Sequence, residues 1–377
     1  MALNPSLSPT PPMGFNTWNR FAGSINQDLI EETMSAMIEE GLARLGYVYL
    51  NIDDGWMAPE RNPQGELVPD PERFPGGIAR LAERAHAAGL KLGIYSCCGT
   101  KTCMGLPASY GHESQDAKTF ASWGIDYLKQ DWCSVPYEDF PGKSHREVAQ
   151  ELYGRISQGI AATNHPMVLS MCNWGDGESW QWARGIAHLW RTTSDIADVF
   201  CGETPQGAWD VVRIFEKNSQ LDEYAGPGGW NDPDMLEVGN GGMSEVEYRS
   251  HFTLWCMMAA PLLIGTDLRR LDLSTRSILT NADLIAVNQD ALGVQAPVVR
   301  QTDGVYTLKK PLAGGDWALA VFNASETDKT VEIDWTTLVQ PGNHHIKDLW
   351  SGKNEVVQGK TCVDIPSHAT QVWKRYS

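Results

Sequence analysis

The sequence predicts an α/β protein: a (β/α)8 TIM barrel with a smaller antiparallel β domain after it. Three observations carry that expectation. Short apolar runs alternate with amphipathic stretches from about residue 13 to about residue 292, the texture of repeated βα units with buried parallel strands. No Gly-rich phosphate or dinucleotide fingerprint follows any run, which weighs against an open nucleotide-binding sheet. The polar motifs fall at the C-terminal ends of the runs, where a barrel gathers its functional residues.

In chain order, residues 47–52, 90–95, 125–128, 167–171 and 188–190 read as buried strands. Between them, Ile30, Met34, Met37 and Ile38 line one face of a helix that Asn26 caps and Gly41 ends. Ile78, Leu81, Ala82 and Ala85 do the same for a helix ending at Gly89, and further helices are expected over 115–123 and 147–162. After Asn288-Gln289-Asp290 the texture changes. Residues 305–308, 317–322 and 330–333 are β-type runs separated by Gly, Asp and Asn turns. The expected division is therefore 1–292 for the barrel and 293–377 for the β domain.

Bulk properties narrow the partners. The 377 residues carry a net charge of −17 and no Lys/Arg cluster, so a nucleic acid is not expected and a neutral substrate fits. No membrane span is expected either, because the longest apolar stretch, 252–265, is interrupted by Pro261. Residues 1–12 are polar and Pro-rich, with neither a basic n-region nor an apolar h-region, which implies a cytoplasmic protein or a secreted one whose signal has been removed. Eight cysteines are too few for a disulfide scaffold in a chain of this length. Several of the 15 Trp stand beside polar motifs, where an indole face suits the apolar C–H face of a pyranose. Asn323-Ala324-Ser325 matches a glycosylation sequon, a tripeptide common by chance.

Six run ends carry unusual chemistry. The first presents Phe15-Asn16-Thr17-Trp18-Asn19, the second Asp53-Asp54 before Gly55 and Trp56. Adjacent carboxylates at a buried strand end need donors or a cation; the scattered histidines disfavour a metal, and sugar hydroxyls are expected instead. The third end presents Tyr95 and Cys97-Cys98, with Cys103 beyond. The fourth presents Lys129, Asp131 and Cys133. Lys129 and Asp131 point the same way on a strand, so the ammonium is expected to hold the carboxylate ionised. A surface ion pair is the plain alternative. A Cys103–Cys133 clip is geometrically reasonable, with two free thiols as the alternative, and Cys97-Cys98 reads as packing. The fifth end presents Cys172-Asn173-Trp174 and the sixth Arg191 through Asp195. A stiff acidic loop follows with Trp230, Asp232, Asp234 and Met235.

Glycoside hydrolysis needs one ionised carboxylate and one protonated acid across the scissile bond. Asp131 suits the first role. Asp195 suits the second, because it faces a site already bearing negative charge, and Arg191 is expected to turn from it towards a ring hydroxyl. Together, residues 13–18, 51–56, 101–103, 127–131, 191–195 and 230–235 resemble, in order, the motifs of the α-galactosidases of glycoside hydrolase family 27. The resemblance implies a (β/α)8 barrel with a C-terminal antiparallel β-sandwich domain, and retaining, exo-acting hydrolysis of a terminal α-linked galactose without metal or organic cofactor. It makes Asp131 the nucleophile and Asp195 the acid/base. Trp18, Asp53, Asp54, Tyr95, Cys103, Lys129, Cys172, Arg191, Asp234 and Met235 would line the galactose subsite. Within it, Asp53, Asp54 and Lys129 would hold O4 and O6, with Arg191 near O2 and O3. Asn173 and Trp174 belong to the loop that reads the C2 substituent.

The chain departs from that pattern at Gly23 and Gly55, where relatives commonly carry a disulfide, so the loops there depend on packing. Cys97-Cys98 stands where relatives often have Asp-Ala. Competing readings are an α-N-acetylgalactosaminidase or β-L-arabinopyranosidase on the same scaffold and a silent galactose-binding module. A Schiff-base lyase using Lys129 is disfavoured by the neighbouring Asp131, which raises rather than lowers a lysine pKa.

Overall fold

A computed structural model describes residues 3–339 and 341–376. Eight parallel strands form one sheet: β1 (Met13–Asn16), β2 (Tyr49–Ile52), β3 (Lys91–Cys97), β4 (Tyr127–Asp131), β5 (Val168–Cys172), β6 (Leu189–Arg191), β7 (Trp230–Asp232) and β8 (Leu262–Ile264). Their order is β8-β1-β2-β3-β4-β5-β6-β7. The ring is completed just beyond β7, where Leu236 bridges Ile264 in parallel and its N–H reaches the Leu263 carbonyl at 2.8 Å. The strand expected at 125–128 lies later than the apolar run alone indicates. It continues through Asp131, so Lys129 and Asp131 are strand residues.

Alternation along the strands sorts the barrel interior into layers. Tyr49, Tyr127, Val168, Leu189 and Leu263, all near strand starts, meet Met235 in an apolar plug. Two residues further along β4, β5 and β6 stand Lys129, Ser170 and Arg191, and one step beyond them Asp131 and Cys172. In-register pairing sets Tyr95, Lys129 and Ser170 side by side, and likewise Cys97, Asp131 and Cys172. The lumen thus runs from oily floor to charged mouth within one strand length. Intervening residues such as Leu50, Leu92, Leu128 and Leu169 face outward into the main core.

The helices cover that outer face. Asn26 caps the Gln27–Glu39 helix by accepting the Leu29 N–H at 2.8 Å. Its buried face is Leu29, Ile30, Met34 and Met37; Ile38, expected on it, is 42% exposed, because it sits one residue round the helix from Met37. The expected face of the Ile78–Ala87 helix is buried throughout. Helices at Glu113–Ser122 and His145–Thr163 stand where the pattern placed them, the second opened by a Ser144/Glu147 capping box.

The C-terminal part holds β9 (Val298–Thr302), β10 (Val305–Pro311), β11 (Trp317–Asn323), β12 (Lys329–Asp334), β13 (His344–Asp348), β14 (Asn354–Val357), β15 (Lys360–Ile365) and β16 (Thr370–Arg375). A six-stranded antiparallel sheet, β9-β10-β11-β16-β13-β14, faces the pair β12-β15. β11 explains how this unit joins the barrel. Trp317, Leu319 and Val321 fill the sandwich core, whereas Ala318, Ala320 and Phe322 on its other face belong to the same core as the barrel helices. Asn323 is fully buried, and its amide donates to the carbonyls of Thr327, Ile365 and Pro366, so the sequon serves as an internal tie.

At this junction Lys310 on β10 is fully buried, its Nζ 3.4 Å from the Cys256 carbonyl. Burial lowers its pKa to about 8, against the opposing pulls of Cys256 and Asp290. A lysine pKa depressed from 10.5 means that the unfolded chain holds the extra proton between pH 8 and 10.5, so stability rises with pH across that window. At pH 7 the buried ammonium costs about 2–4 kcal/mol. Lys310→Met is therefore expected to raise the denaturation midpoint at pH 7 and to flatten the gain between pH 8 and 10. Urea unfolding at the two pH values checks this, and a destabilised variant at pH 7 would contradict it.

Candidate active site

The charged mouth of the barrel is organised around ion pairs that cross the lumen. Asp53, just after β2, is buried, and its Oδ2 accepts from Lys129 Nζ at 2.8 Å and from Asn16 Nδ2 at 2.8 Å. Its Oδ1 accepts the Asp54 N–H at 2.9 Å. Asp54 in turn accepts the N–H groups of Gly55 at 2.7 Å and Met104 at 2.9 Å. Burial raises the Asp54 pKa against those two donors and Thr102, with Asp53 adding to the rise. The adjacent carboxylates are thus held by backbone donors and an ammonium.

Lys129 was expected to pair with Asp131, and its direct partner is Asp53 instead. Burial works against its charge, but Asp53, Cys172 and Asp131 together raise its pKa well above the lysine norm. Asp131 is buried, with Oδ1 accepting its neighbour Trp132's N–H at 2.8 Å. Lys129 favours the ionised form, as expected, but burial outweighs it in setting the value. Burial raises it to about 6, Lys129 pulls it down only partly, and Asp195 pushes it up. It remains mostly ionised at pH 7, which a nucleophile needs.

Arg191 was expected to turn from Asp195, yet it grips it. Its Nη2 lies 3.0 Å from Asp195 Oδ1 and 3.0 Å from Asp234 Oδ2, and its Nη1 lies 3.5 Å from Cys172 Sγ. The guanidinium is buried, whereas the Asp195 side chain is 53% exposed at the rim. Asp195 begins a two-residue parallel ladder, Asp195–Ile196 against Ala208–Trp209. Asp234 is buried in a left-handed conformation (φ 77°), and its Oδ2 also accepts the Ile196 N–H at 2.8 Å. Burial raises its pKa while Arg191 opposes.

Cys103 and Cys133 form a disulfide with Cα atoms 5.3 Å apart, which settles the open choice between clip and free thiols. It sits against the carboxylate: Cys103 Sγ is 3.9 Å from Asp131 Oδ2 and 3.4 Å from the Tyr95 hydroxyl. Among the described residues, Cys103, Asp131 and Cys133 are the only group of ligand-type side chains close enough to share an ion, and both sulfurs are bonded to each other. Cys97 and Cys98 are buried, the Cys97 thiol donating to the Cys133 carbonyl at 3.1 Å. Packing holds the departure at Gly23 and Gly55. A Cβ on Gly23 would meet Met104 Cε at 2.3 Å, and one on Gly55 would lie 3.1 Å from Met104 Sδ and 3.3 Å from Gly23 Cα. The Met104 side chain therefore occupies the space over the two glycines, and Arg73 adds a 3.0 Å bond to the Gly23 carbonyl.

A narrow cleft at the mouth is lined by Asn16, Lys129, Cys172, Arg191, Asp234 and Met235 among others. Asp53, Asp131 and Asp195 join this group through the ion pairs and charge interactions above. Trp18 is partly buried against the apolar plug. Asn173 is buried, its amide donating to the Asp176 carbonyl at 2.7 Å, and Trp174 follows it in a left-handed turn (φ 54°). Sequence reasoning did not place Asn16, Ser170 or Asp232 in the site, though all three line the cleft. Asp232 is buried and raised to about 6 by burial, with Arg191 opposing and Asp234 adding to the rise. Its position at the end of β7 was the available signal; the flanking Trp230, Met235 and Leu236 argued for a partly buried loop without giving Asp232 a role.

Carboxylates that outnumber the cations, a disulfide wall and an apolar floor are chemistry that suits a neutral, hydroxyl-rich ligand. Among the described residues, no helix is long and apolar enough to cross a membrane. Residues 10–290 match the family model described as Alpha galactosidase A, and residues 302–374 match the Alpha galactosidase C-terminal beta sandwich domain. An alpha-galactosidase of Oryza sativa subsp. japonica is 43% identical over 99% of this chain and 86% of its own length. Alpha-galactosidase I from Mortierella vinacea superposes with a TM-score of 0.94 at 34% identity, over 99% of this chain and 98% of that one. An alpha-galactosidase from Saccharomyces cerevisiae, solved with raffinose, gives 0.92 at 26% identity, over 99% of this chain and the whole of that one. This chain belongs to the alpha-galactosidases of glycoside hydrolase family 27.

Proposed function

We propose that the chain hydrolyses terminal α-linked galactose by double displacement, with Asp131 as nucleophile and Asp195 as acid/base. The observation that carries the assignment is the contrast between the two carboxyl groups. Asp131 is buried at the end of β4 beside an ammonium, and Asp195 stands half-exposed at the rim, within charge-interaction range of it. A buried, anchored carboxylate suits attack on C1 from below. A rim carboxyl can reach both the glycosidic oxygen and the incoming water.

In this reading Asp53, Asp54 and Lys129 hold O4 and O6, and Arg191 with Asp234 holds the O2/O3 side. Asp195 protonates the departing oxygen while Asp131 forms the glycosyl ester. Asp195 then takes a proton from water as that ester is opened, and two inversions restore the α configuration. The Tyr49, Tyr127 and Met235 floor closes the barrel beneath the charged layer, which supports exo action on a terminal residue. Cys172 and Asn173, both buried, form the C2 wall, which supports galactose over its N-acetylamino analogue. The domain division at 292/293 is supported by the last barrel helix, Ala282–Asn288, and the first β-domain strand, Val298–Thr302.

Relative kcat/KM on the p-nitrophenyl glycosides of α-galactose, α-N-acetylgalactosamine and β-L-arabinopyranose tests the substrate; fastest turnover of either of the last two would overturn it. The acid limb tests the nucleophile. Asp131 must be ionised, so kcat/KM is expected to rise with pH through about 6 and to fall below it. A flat profile down to about pH 4 would contradict a nucleophile raised by burial.

A further inference from the structure

Asp234 occupies a backbone region that side-chain-bearing residues seldom adopt, at a cost of about 1–3 kcal/mol unless the surroundings fix it. Its N–H donates to Asp232 Oδ1 at 2.9 Å, its carboxylate takes Ile196 N–H and Arg191, and its carbonyl accepts the indole N–H of Trp255 at 2.8 Å. Trp255 is fully buried and makes no part of the pocket lining. It is fixed by the Glu245–Met257 helix, which opens with a Ser244/Glu247 capping box. The β domain grips that helix from outside: Trp350 Nε1 reaches Thr253 Oγ1 at 3.1 Å, and Ser250 Oγ reaches the His368 carbonyl at 2.6 Å. On its inner side the same helix presents His251 Nε2 to the Glu237 N–H at 3.1 Å, immediately after the acidic loop.

We propose that Trp255 is a positioning residue for the acid step. Its indole N–H locks the left-handed turn at Asp234, Asp234 orients Arg191, and Arg191 places Asp195 over the glycosidic oxygen. The β domain, by seating the helix, is thereby part of the catalytic apparatus. The proposal rests on the acid/base reading of Asp195. It assigns a distinct consequence to the loss of one N–H group remote from the sugar: the deficit falls where proton donation matters.

The test compares a galactoside with a poor leaving group, raffinose, and one that needs no protonation, 2,4-dinitrophenyl α-galactoside, in wild type, Trp255→Phe and Asp195→Ala. Trp255→Phe is expected to lower kcat/KM on raffinose by about tenfold more than on the activated substrate, the size of one hydrogen bond lost from a buried carbonyl, while any smaller loss on the activated substrate reports the grip of Arg191 and Asp234 on the sugar. A protein carrying β-(3-benzothienyl)alanine at position 255, in which sulfur replaces the N–H in the same shape, guards against a packing artefact and should reproduce the split. Equal losses on both substrates in either protein, or no loss, overturn the proposal. If Asp195→Ala shows the leaving-group split and the two Trp255 proteins do not, positioning by Trp255 fails alone. If Asp195→Ala shows no split, the acid/base reading fails, and the proposal with it.

Discussion

Asp131→Ala is expected to lower kcat by about 10⁴-fold or more, because the glycosyl ester of the proposed mechanism forms on its carboxylate. The lost carboxylate also removes a buried charge that burial disfavours, so the variant should fold at least as well as wild type at neutral pH. That separation of activity from stability distinguishes a functional acid from a structural ion pair. Azide, small enough for the space left by the carboxylate, should restore turnover and release β-galactosyl azide by a single inversion. An α-azide product would contradict attack from the Asp131 side. So would a variant that is inactive only because it is unfolded, which circular dichroism would show.

Arg191→Met is expected to damage both activity and stability. The guanidinium spans Asp195 and Asp234 and lowers the Asp232 pKa as well, all within a buried network. Removing one partner of a buried pair typically costs about 3–5 kcal/mol, because the remaining charge is left without compensation. Activity should fall by about 10²–10³-fold, as a donor to the sugar and the tether of Asp195 are lost together. The stability deficit should shrink as the pH is lowered. Without Arg191 the folded-state pKa values of Asp232 and Asp234 rise further above their unfolded values, so the folded state gains protons and stability as pH falls through them. Thermal unfolding at pH 7 and pH 5 measures this. A deficit independent of pH would mean that the carboxylates are not the groups left uncompensated.

The parts of this site that sequence made legible are those fixed by periodicity. Alternation on β4 puts Lys129 and Asp131 on one face whatever the barrel's tilt, and each motif falls at the end of a strand. What alternation does not specify is which acid the ammonium reaches. Asp53 lies two strands away from Lys129 along the sheet, and only the curvature of the barrel brings them within 2.8 Å. Arg191 and Asp195 were misread for a similar reason. The spacing is known from sequence, but the turn after β6 that folds Asp195 back onto the guanidinium is not. The pKa of Asp131 depends on a competition between burial and charge, and sequence supplies the charges without the burial. Ile38 shows the same lack at smaller scale, exposed where its helix face looked apolar. Met104 shows the converse: a residue with no motif fills the place over Gly23 and Gly55.

In the proposed mechanism Asp131 forms the covalent bond to the sugar. Incubation with 5-fluoro-α-galactosyl fluoride, which slows breakdown of the intermediate, followed by peptic digestion and tandem mass spectrometry, addresses that bond itself. The expected result is one fluorogalactosyl group on the peptide containing residues 127–133, with fragment ions placing it on Asp131. A label on Asp195, Asp232 or Asp234 would contradict that assignment, as would steady turnover of the reagent to 5-fluoro-β-galactose and fluoride with no labelled peptide.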